Sequence, residues 1–550
     1  MKLFTKKLSK SNLFFVAIIL FASVLASLPL LRADFFHFSD EPHIANLYQM
    51  VRALGSGQIP PRWAPDMSYE FGYPLFNFYY VLPFYIASAF YLLGGSLILS
   101  LKLTFLLTIP LSGLFMFLWL KKHTDSWTAT VGSVVYIFSP YRAVDLYVRG
   151  AIGEAVAFVF FPLIMWAIFK VFEKIRLRYV SLLALISGLF FLSHNLAPII
   201  FLPFALIYAL VLGYNFKSFR NFVRVLLGVI LGFGLASFFV VPAFVEKSLL
   251  NTQTPFNYWD HFPFIKQLIY SPFRYGASNP GMGDDISFQL GIINIVLFFA
   301  SLFFIRKATK TIKRLYLVFA ASFAACLFLM NIRSTFLWEA FSLSAYIQFP
   351  WRILMLTTFL TSSLVIFWKV HSEFLKYLAA LLIILTVAIN FSYFKPSEYY
   401  NPDDNYFLTR FFARDTANAI TNPQYSNYSE DYLLLPIWVT KRPSFVPVNK
   451  FSSETIDIKA INTKSPVDYS VEVEGDGLLE FYTYYFPGWY AKIDDKPAKI
   501  EILKPYGNIG VNVSDGQLKV DVYWQETLLR KVSDAVSVLS GIVILGLFLL

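Results

Sequence analysis

Apolar runs of around twenty residues recur along the chain. They lie near 13–31, 74–94, 97–120, 126–140, 154–172, 179–193, 196–213, 222–245, 288–305, 315–330, 351–369, 374–394 and 534–550. A helix of about twenty apolar residues crosses about 30 Å of hydrocarbon, so the pattern predicts a polytopic α-helical membrane protein. Between 395 and 530 the pattern changes. TIDIKAI (455–461), VDYSVEVE (467–474), LLEFYTYYF (478–486) and QLKVDVYW (ending at Trp524) alternate in character, and EGDG, IDDKP, PYGN and SDGQ punctuate them. β-branched and aromatic residues at this spacing predict a small antiparallel sandwich, tethered by the last apolar run. The expected organisation is a membrane domain over 1–394, a β-rich domain over 395–530 and a terminal span over 531–550.

Basic residues in short loops orient such a chain, because Lys and Arg collect on the cytoplasmic side. Lys2, Lys6, Lys7 and Lys10 put the N-terminus there. If all thirteen runs cross, then Lys121–Lys122, Lys174/Arg176/Arg178, Lys217/Arg220/Arg224 and RKATKTIKR (306–314) all fall outside. If 74–94 does not cross, every one of them returns to the cytoplasm. That segment holds Pro74, Pro83, Asn77 and the tyrosines Tyr79, Tyr80, Tyr85 and Tyr91, which favour the headgroup layer. It is read as juxtamembrane or re-entrant, leaving twelve spans; 13–31 is longer than a signal-peptide core and is read as an uncleaved first span. The loops 32–96, 141–153, 246–287 and 331–350, the His194–Asn195 turn and the β-rich region then face outward. The expected location is the plasma membrane.

Composition agrees. The 550 residues are 57% hydrophobic, 19% aromatic and 15% charged, with mean hydropathy +0.57, against about a quarter charged in soluble domains. The net charge of +11 belongs to cytoplasmic loops, and no nucleic-acid partner is expected. The single cysteine, Cys326, rules out an intrachain disulfide and a Cys-based metal site. No P-loop, His-x-x-x-His or Cys-x-x-Cys occurs, so an ATP-driven or zinc enzyme has no support.

The candidate chemistry lies in the outer loops. SDEPHIANL (39–47) sets Asp40, Glu41 and His43 together before an amphipathic stretch, IANLYQMVRALGSGQIPPRW, that reads as a helix lying on the membrane. Such a carboxylate can act as a general base toward a hydroxyl, or bind a divalent cation such as Mg or Mn. Arg62 and Asp66 follow. In LYVRGAIGEAVAF (146–158), Glu154 meets apolar sequence directly, where an ionisable group needs a partner or a cavity. Arg149 lies four residues after Asp145, so an interfacial ion pair is the ordinary reading of Asp145. His194–Asn195 interrupts an apolar stretch. Loop 246–287, with Trp259, Asp260, His261, Arg274, Tyr275, Asp284 and Asp285, is long enough to cover a site. QFPWRIL (348–354) puts Arg352 at the mouth of a span, where arginine suits phosphate.

These stretches carry a resemblance. SDEPHIANL, LYVRGAIGEAVAF, LSHN (192–195), GDDISFQLG (283–291), QFPWRIL, YYFPGWYAKIDDKP (484–497) and ETLLRKVSDAVS (526–537) resemble the YfhO-like bacterial membrane proteins. These are also labelled 6-pyruvoyl-tetrahydropterin synthase-related, though nothing in the chain suggests pterin chemistry. The family resembles a branch of the GT-C superfamily, integral-membrane glycosyltransferases using polyprenyl-phosphate sugars. The resemblance implies an essential acid in the first outer loop, where Asp40 and Glu41 lie, and a second in the next, where Glu154 lies. It implies transfer of a sugar to an envelope glycan, lipid or protein. Asp40 or Glu41 would be the base, and Arg149 and Arg352, with Arg62, would bind donor phosphate. Glu154, His43, His194 and Asn195 would shape the pocket; any divalent cation would be held by Asp40, Glu41 and Glu154. The alternatives are a flippase or transporter of lipid-linked glycans, and a non-catalytic envelope scaffold whose β domain binds glycan.

Overall fold

The structure, a computed structural model, describes residues 10–174, 176–251, 257–368, 373–412, 435–514 and 516–550. Lys2, Lys6 and Lys7, part of the 246–287 loop and the 413–434 part of the outer polar region lie outside the described residues. Seven helices among the described residues are long and apolar enough to cross a membrane: Leu97–Leu120, Ile152–Glu173, Ala197–Asn215, Lys310–Leu329, Pro350–Phe367, Lys376–Tyr393 and Leu528–Leu549. The pair Phe219–Leu235 and Ser237–Leu249, bent by 75°, gives an eighth if it counts as one span. Asn12–Ala26, Leu82–Leu92, Leu177–Ser193 and Ile292–Phe304 are apolar but shorter.

Two predicted segments take instructive forms. Run 74–94 folds as two short helices, Leu75–Phe78 and Leu82–Leu92. The longer has 11 residues, or about 17 Å at 1.5 Å per residue, roughly half the hydrocarbon thickness. Run 126–140 is a helix only over Ser126–Ile137 and is almost entirely buried within the bundle. It runs on through Pro140–Ala143 into a π-helical stretch, Val144–Arg149, the kind of irregularity that often marks a functional site.

The β-rich region forms two antiparallel sheets. Strands are β1 Phe35–Phe36, β2 Tyr399–Tyr400, β3 Phe451–Ser452, β4 Asp457–Ser465, β5 Asp468–Glu474, β6 Gly477–Tyr484, β7 Trp489–Ile493, β8 Lys496–Ala498, β9 Ile500–Leu503, β10 Asn508–Val513 and β11 Gln517–Trp524. One sheet runs β3-β6-β10-β9 and the other β4-β5-β11-β7-β8, while β1 and β2 pair on their own. Inward residues alternate, as Val471 and Val473 on β5 and Val520 and Val522 on β11 show. The predicted sandwich is present before the last helix. Its sheets begin at Phe451, whereas β2 and the helix Asp404–Phe411 pair with the segment 35–41.

That loop enters the sandwich core. Trp63 and Phe71 are buried in the same cluster as Phe481, Tyr484, Trp489 and Val522. The Trp63 ring centroid lies 5.4 Å from that of Trp489 and 5.2 Å from that of Trp524. The Phe71 carbonyl accepts from the Tyr484 amide at 2.8 Å and the Thr483 hydroxyl at 2.7 Å. The last helix closes the junction. Small hydroxyls let it approach its neighbours: Ser181 donates to the Ile544 carbonyl at 2.6 Å and Ser237 to the Ser533 carbonyl at 2.7 Å.

Two fully buried arginines lie where these parts meet. Arg62 donates to Glu526 at 3.1 Å, Asp534 at 3.1 Å and the Phe238 carbonyl at 2.7 Å. Arg530 donates from Nε and Nη2 to Glu246 at 3.1 and 3.0 Å, and Asn77 donates to the same carboxylate. Removing one partner of a buried pair strands the other charge at a cost of about 3–5 kcal/mol. Arg530→Met should therefore lower the apparent melting temperature of the purified protein sharply, and adding Glu246→Gln should recover part of the loss; equal melting of wild type and single variant would refute this.

Candidate active site

Five distant segments converge at one end of the bundle. Asp40 comes from the turn after β1, Arg149 from the π-helical stretch and Glu154 from the first turn of Ile152–Glu173. His194 lies between Leu177–Ser193 and Ala197–Asn215, and Arg352 begins the span Pro350–Phe367. Backbone pairing fixes the first two: the Ser39 amide donates to the Val148 carbonyl at 3.0 Å and the Asp40 amide to the Arg149 carbonyl at 2.8 Å. Gly150 permits this approach. Its φ is +67°, and a Cβ there would lie 2.1 Å from the Phe38 ring.

Glu154 is buried among two arginines and a tyrosine. Arg149 Nη2 is 2.9 Å from Oε1, the Tyr141 hydroxyl donates to Oε2 at 2.7 Å, and Arg352 Nε stands 3.8 Å from Oε1. Arg149 also reaches Asp145 Oδ1 at 3.3 Å, and its guanidinium lies 4.9 Å from the Trp351 ring centre. Burial and the neighbouring Glu154 carboxylate push Asp145 well above the usual carboxylate range, although Arg149 and Arg142 pull it down. Burial opposes the charge of Arg149, but Glu154 and Asp145 outweigh it and raise its pKa further. This is a cationic patch set among aromatics and held by carboxylates.

The histidines are neutral parts of the wall. His194 Nδ1 accepts from the amides of Leu196 at 3.2 Å and Ala197 at 3.1 Å, capping the helix Ala197–Asn215. That leaves the proton on Nε2. Burial pushes the His194 pKa down to about 3, against the pull of Glu154. His43 is 1% exposed; burial lowers its pKa too, despite Asp40 Oδ2 at 3.8 Å from Nε2. Tyr80 lies 5.2 Å from the His194 ring, and both crowd Gly153, where a Cβ would stand 2.5 Å from Tyr80 and 2.7 Å from His194.

The two adjacent acids of the first loop part ways. The Asp40 side chain keeps 32% exposure beside the cluster. Glu41 turns toward His37 Nδ1 at 2.7 Å and Arg410, and is buried. The His37 ring stacks on Tyr400 at 3.9 Å, so Glu41 fastens β1 to β2 and to the helix Asp404–Phe411. Arg62 lies in the junction described above, with its guanidinium committed to Glu526, Asp534 and Phe238 rather than open to a phosphate. Asn195 donates to the Phe78 carbonyl at 2.8 Å, holding the 74–94 segment. Loop 246–287 is tied up by its own bonds. Asp284 accepts from Gln267, Ser278 and the Asn279 amide, and His261 packs 4.8 Å from Phe349 beside Arg352.

Tyr141 and Arg142 were not singled out in the sequence. Arg142 is fully buried, lies 4.3 Å from the Phe158 ring, and has no hydrogen-bond partner for its guanidinium among the described residues. Its signal was an arginine inside SPYRAVDLYVRG, between two apolar runs. Among the described residues no three His, Cys, Asp or Glu side chains gather as a metal-holding group. Asp40, Glu41 and Glu154, expected as ligands of any Mg or Mn, do not fit one: Glu41 faces Arg410, and Glu154 faces Arg149 and Arg352.

Residues 76–395, more than half of the chain, match the family described as 6-pyruvoyl-tetrahydropterin synthase related domain, a membrane protein. The chain belongs to this family. The matched stretch carries Arg149, Glu154, His194 and Arg352, while Asp40 precedes it. An uncharacterized protein of Lactococcus lactis subsp. cremoris (strain MG1363) is 30% identical over 243 residues, covering 42% of this chain and 40% of that relative. The chain thus aligns with two fifths of that relative's length. The cryo-EM structure of the arabinofuranosyltransferase AftD from Mycobacteria is similar with a TM-score of 0.47 and 13% identity, over 72% of this chain and 28% of that one.

The buried His194 leads to an expected acid response. The folded pKa of His194, about 3, lies below the ordinary 6.5, so the unfolded chain takes up protons first as pH falls. Stability should drop from about pH 6.5 downward, by up to about 1.4 kcal/mol per pH unit for each such histidine. His194→Asn, which keeps an acceptor for the helix cap, should melt with a shallower acid slope between pH 7.5 and 4.5; parallel slopes would show that His194 is not the source.

Proposed function

We propose that this protein is a membrane glycosyltransferase of the GT-C type, moving a sugar from a polyprenyl-phosphate donor to an extracytoplasmic acceptor. The acceptor class is an envelope glycan, lipid or protein. The reading is supported by one juxtaposition: the part-exposed Asp40, whose amide is bonded to the Arg149 carbonyl and whose charge acts on Arg352, next to the two arginines that face Glu154. A base next to a cationic patch suits displacement at a carbon bearing a phosphate leaving group. The resemblance of its outer loops to that superfamily points the same way.

In this reading the acceptor hydroxyl gives its proton to Asp40 while its oxygen bonds to the anomeric carbon. The bond from that carbon to the phosphate oxygen breaks, and its electron pair stays on the phosphate. Arg149 and Arg352 hold the charge that develops there. A single displacement of this kind inverts the anomeric centre. Glu154 and Tyr141 orient Arg149, and His194 and Tyr80 form a wall on which a sugar can stack. Asp40 takes the role of base in preference to Glu41, whose oxygens are bound by His37 and Arg410. No step is assigned to a metal ion.

The test is release of free polyprenyl phosphate from a panel of polyprenyl-phosphate sugars by the protein reconstituted in lipid with cell-envelope extract as acceptor source. Asp40→Asn should lower the rate by about 10²–10⁴-fold with little change in melting, the range for loss of a general base. Glu41→Gln should instead lower melting and retain measurable turnover. Equal turnover in wild type and Asp40→Asn would overturn the assignment of the base. No release by folded wild-type protein with any donor would move the reading to the flippase or the scaffold.

A further inference from the structure

A groove on the lipid-facing side of the bundle plays no part in the proposed reaction. It has a volume of about 300 Å³ and is lined by Val211 and Tyr214 from Ala197–Asn215 and by Arg314, Leu317 and Val318 from Lys310–Leu329. The C-terminal end of the first helix meets the N-terminal end of the second here, so the groove opens at one face of the membrane block. Each wall contributes about one turn, or roughly 6 Å of depth along the helix axis. Its lower part is aliphatic and open, with Leu317 67% exposed.

Its upper end is built differently. The Arg314 guanidinium lies 4.4 Å from the Tyr214 ring centre and donates from Nη1 to Asn215 Oδ1 at 3.2 Å. These contacts hold the planar group at the mouth and leave its other edge without an acceptor among the described residues. Lys310 and Lys313 on the same helix, and Lys217 just past Asn215, are exposed, and none has a carboxylate partner among the described residues. The N-terminal dipole of a 20-residue helix adds to this positive field. An aliphatic slot capped by a guanidinium and exposed lysines matches one amphiphile.

We propose that this groove binds an anionic glycerophospholipid, its phosphate on Arg314 and the upper part of one acyl chain between Val211 and Leu317. A basic end between membrane helices recognises anionic headgroups in this way.

The test uses native mass spectrometry of the full chain in detergent with equal amounts of phosphatidylglycerol and phosphatidylcholine bearing the same acyl chains. Wild type should retain phosphatidylglycerol preferentially. Arg314→Gln should reduce that preference about fivefold, the worth of one basic residue at a membrane surface. Leu317→Trp, which fills the slot, should lose bound lipid of both kinds while the headgroup cluster stays intact. Equal retention of the two lipids by wild type would overturn the proposal, as would a preference unchanged in Arg314→Gln. Loss of bound phosphatidylglycerol to inorganic phosphate with Leu317→Trp behaving as wild type would show an anion site without a lipid slot.

Discussion

Glu154 is a buried carboxylate at the start of an apolar helix. A charge in that position requires partners, and the only groups strong enough are other charges and well-aimed donors. Everything at this end of the molecule follows from meeting that requirement. Arg149 comes from the π-helical stretch, Tyr141 from the turn before it, and Arg352 from the start of another span. Gly150 and Gly153 then have to be small, because the first outer loop and the His194 turn close in around the same point. The convergence that makes a candidate active site is the same convergence that neutralises the buried acid.

The second organising fact is that the sandwich is not a free appendage. Its core includes Trp63 and Phe71, which belong to the loop carrying Asp40, and at its base Arg62 binds Glu526 and Asp534 while Arg530 binds Glu246. The sandwich therefore supports the first outer loop mechanically. A loop of this length would otherwise sample many arrangements. Here its two ends are held, one by β1 against β2 and the other by the aromatic core of the sandwich.

Much of this was legible in the sequence, and the misses have physical reasons. The apolar runs, the period-two region and the polar interruptions were visible because each follows from local periodicity. Asp40, Glu154, Arg149, His194 and Arg352 stood out as charges or imidazoles at apolar borders, where they need explanation. Period alone could not tell Asp40 from Glu41. Adjacent residues on an irregular turn point to different sides, and the partner that claims Glu41 lies at position 410. Arg62 looked like a phosphate ligand because its acceptors, Glu526 and Asp534, are more than four hundred residues away in the chain. Arg142 went unremarked because its meaning lies in a burial without partners, which no spacing encodes.

The span of these contacts also sets an order of events. Glu41 waits for Arg410, and Arg62 waits for Glu526 and Asp534. During synthesis Arg62 therefore lacks its carboxylate partners until the end of the chain has been made, whereas Glu41 has His37 beside it and gains Arg410 earlier. Contacts of such long range form late and slowly. The junction between the loop carrying Arg62 and the sandwich is thus a late product of assembly, and a chain lacking Leu528–Leu549 holds Arg62 without Asp534.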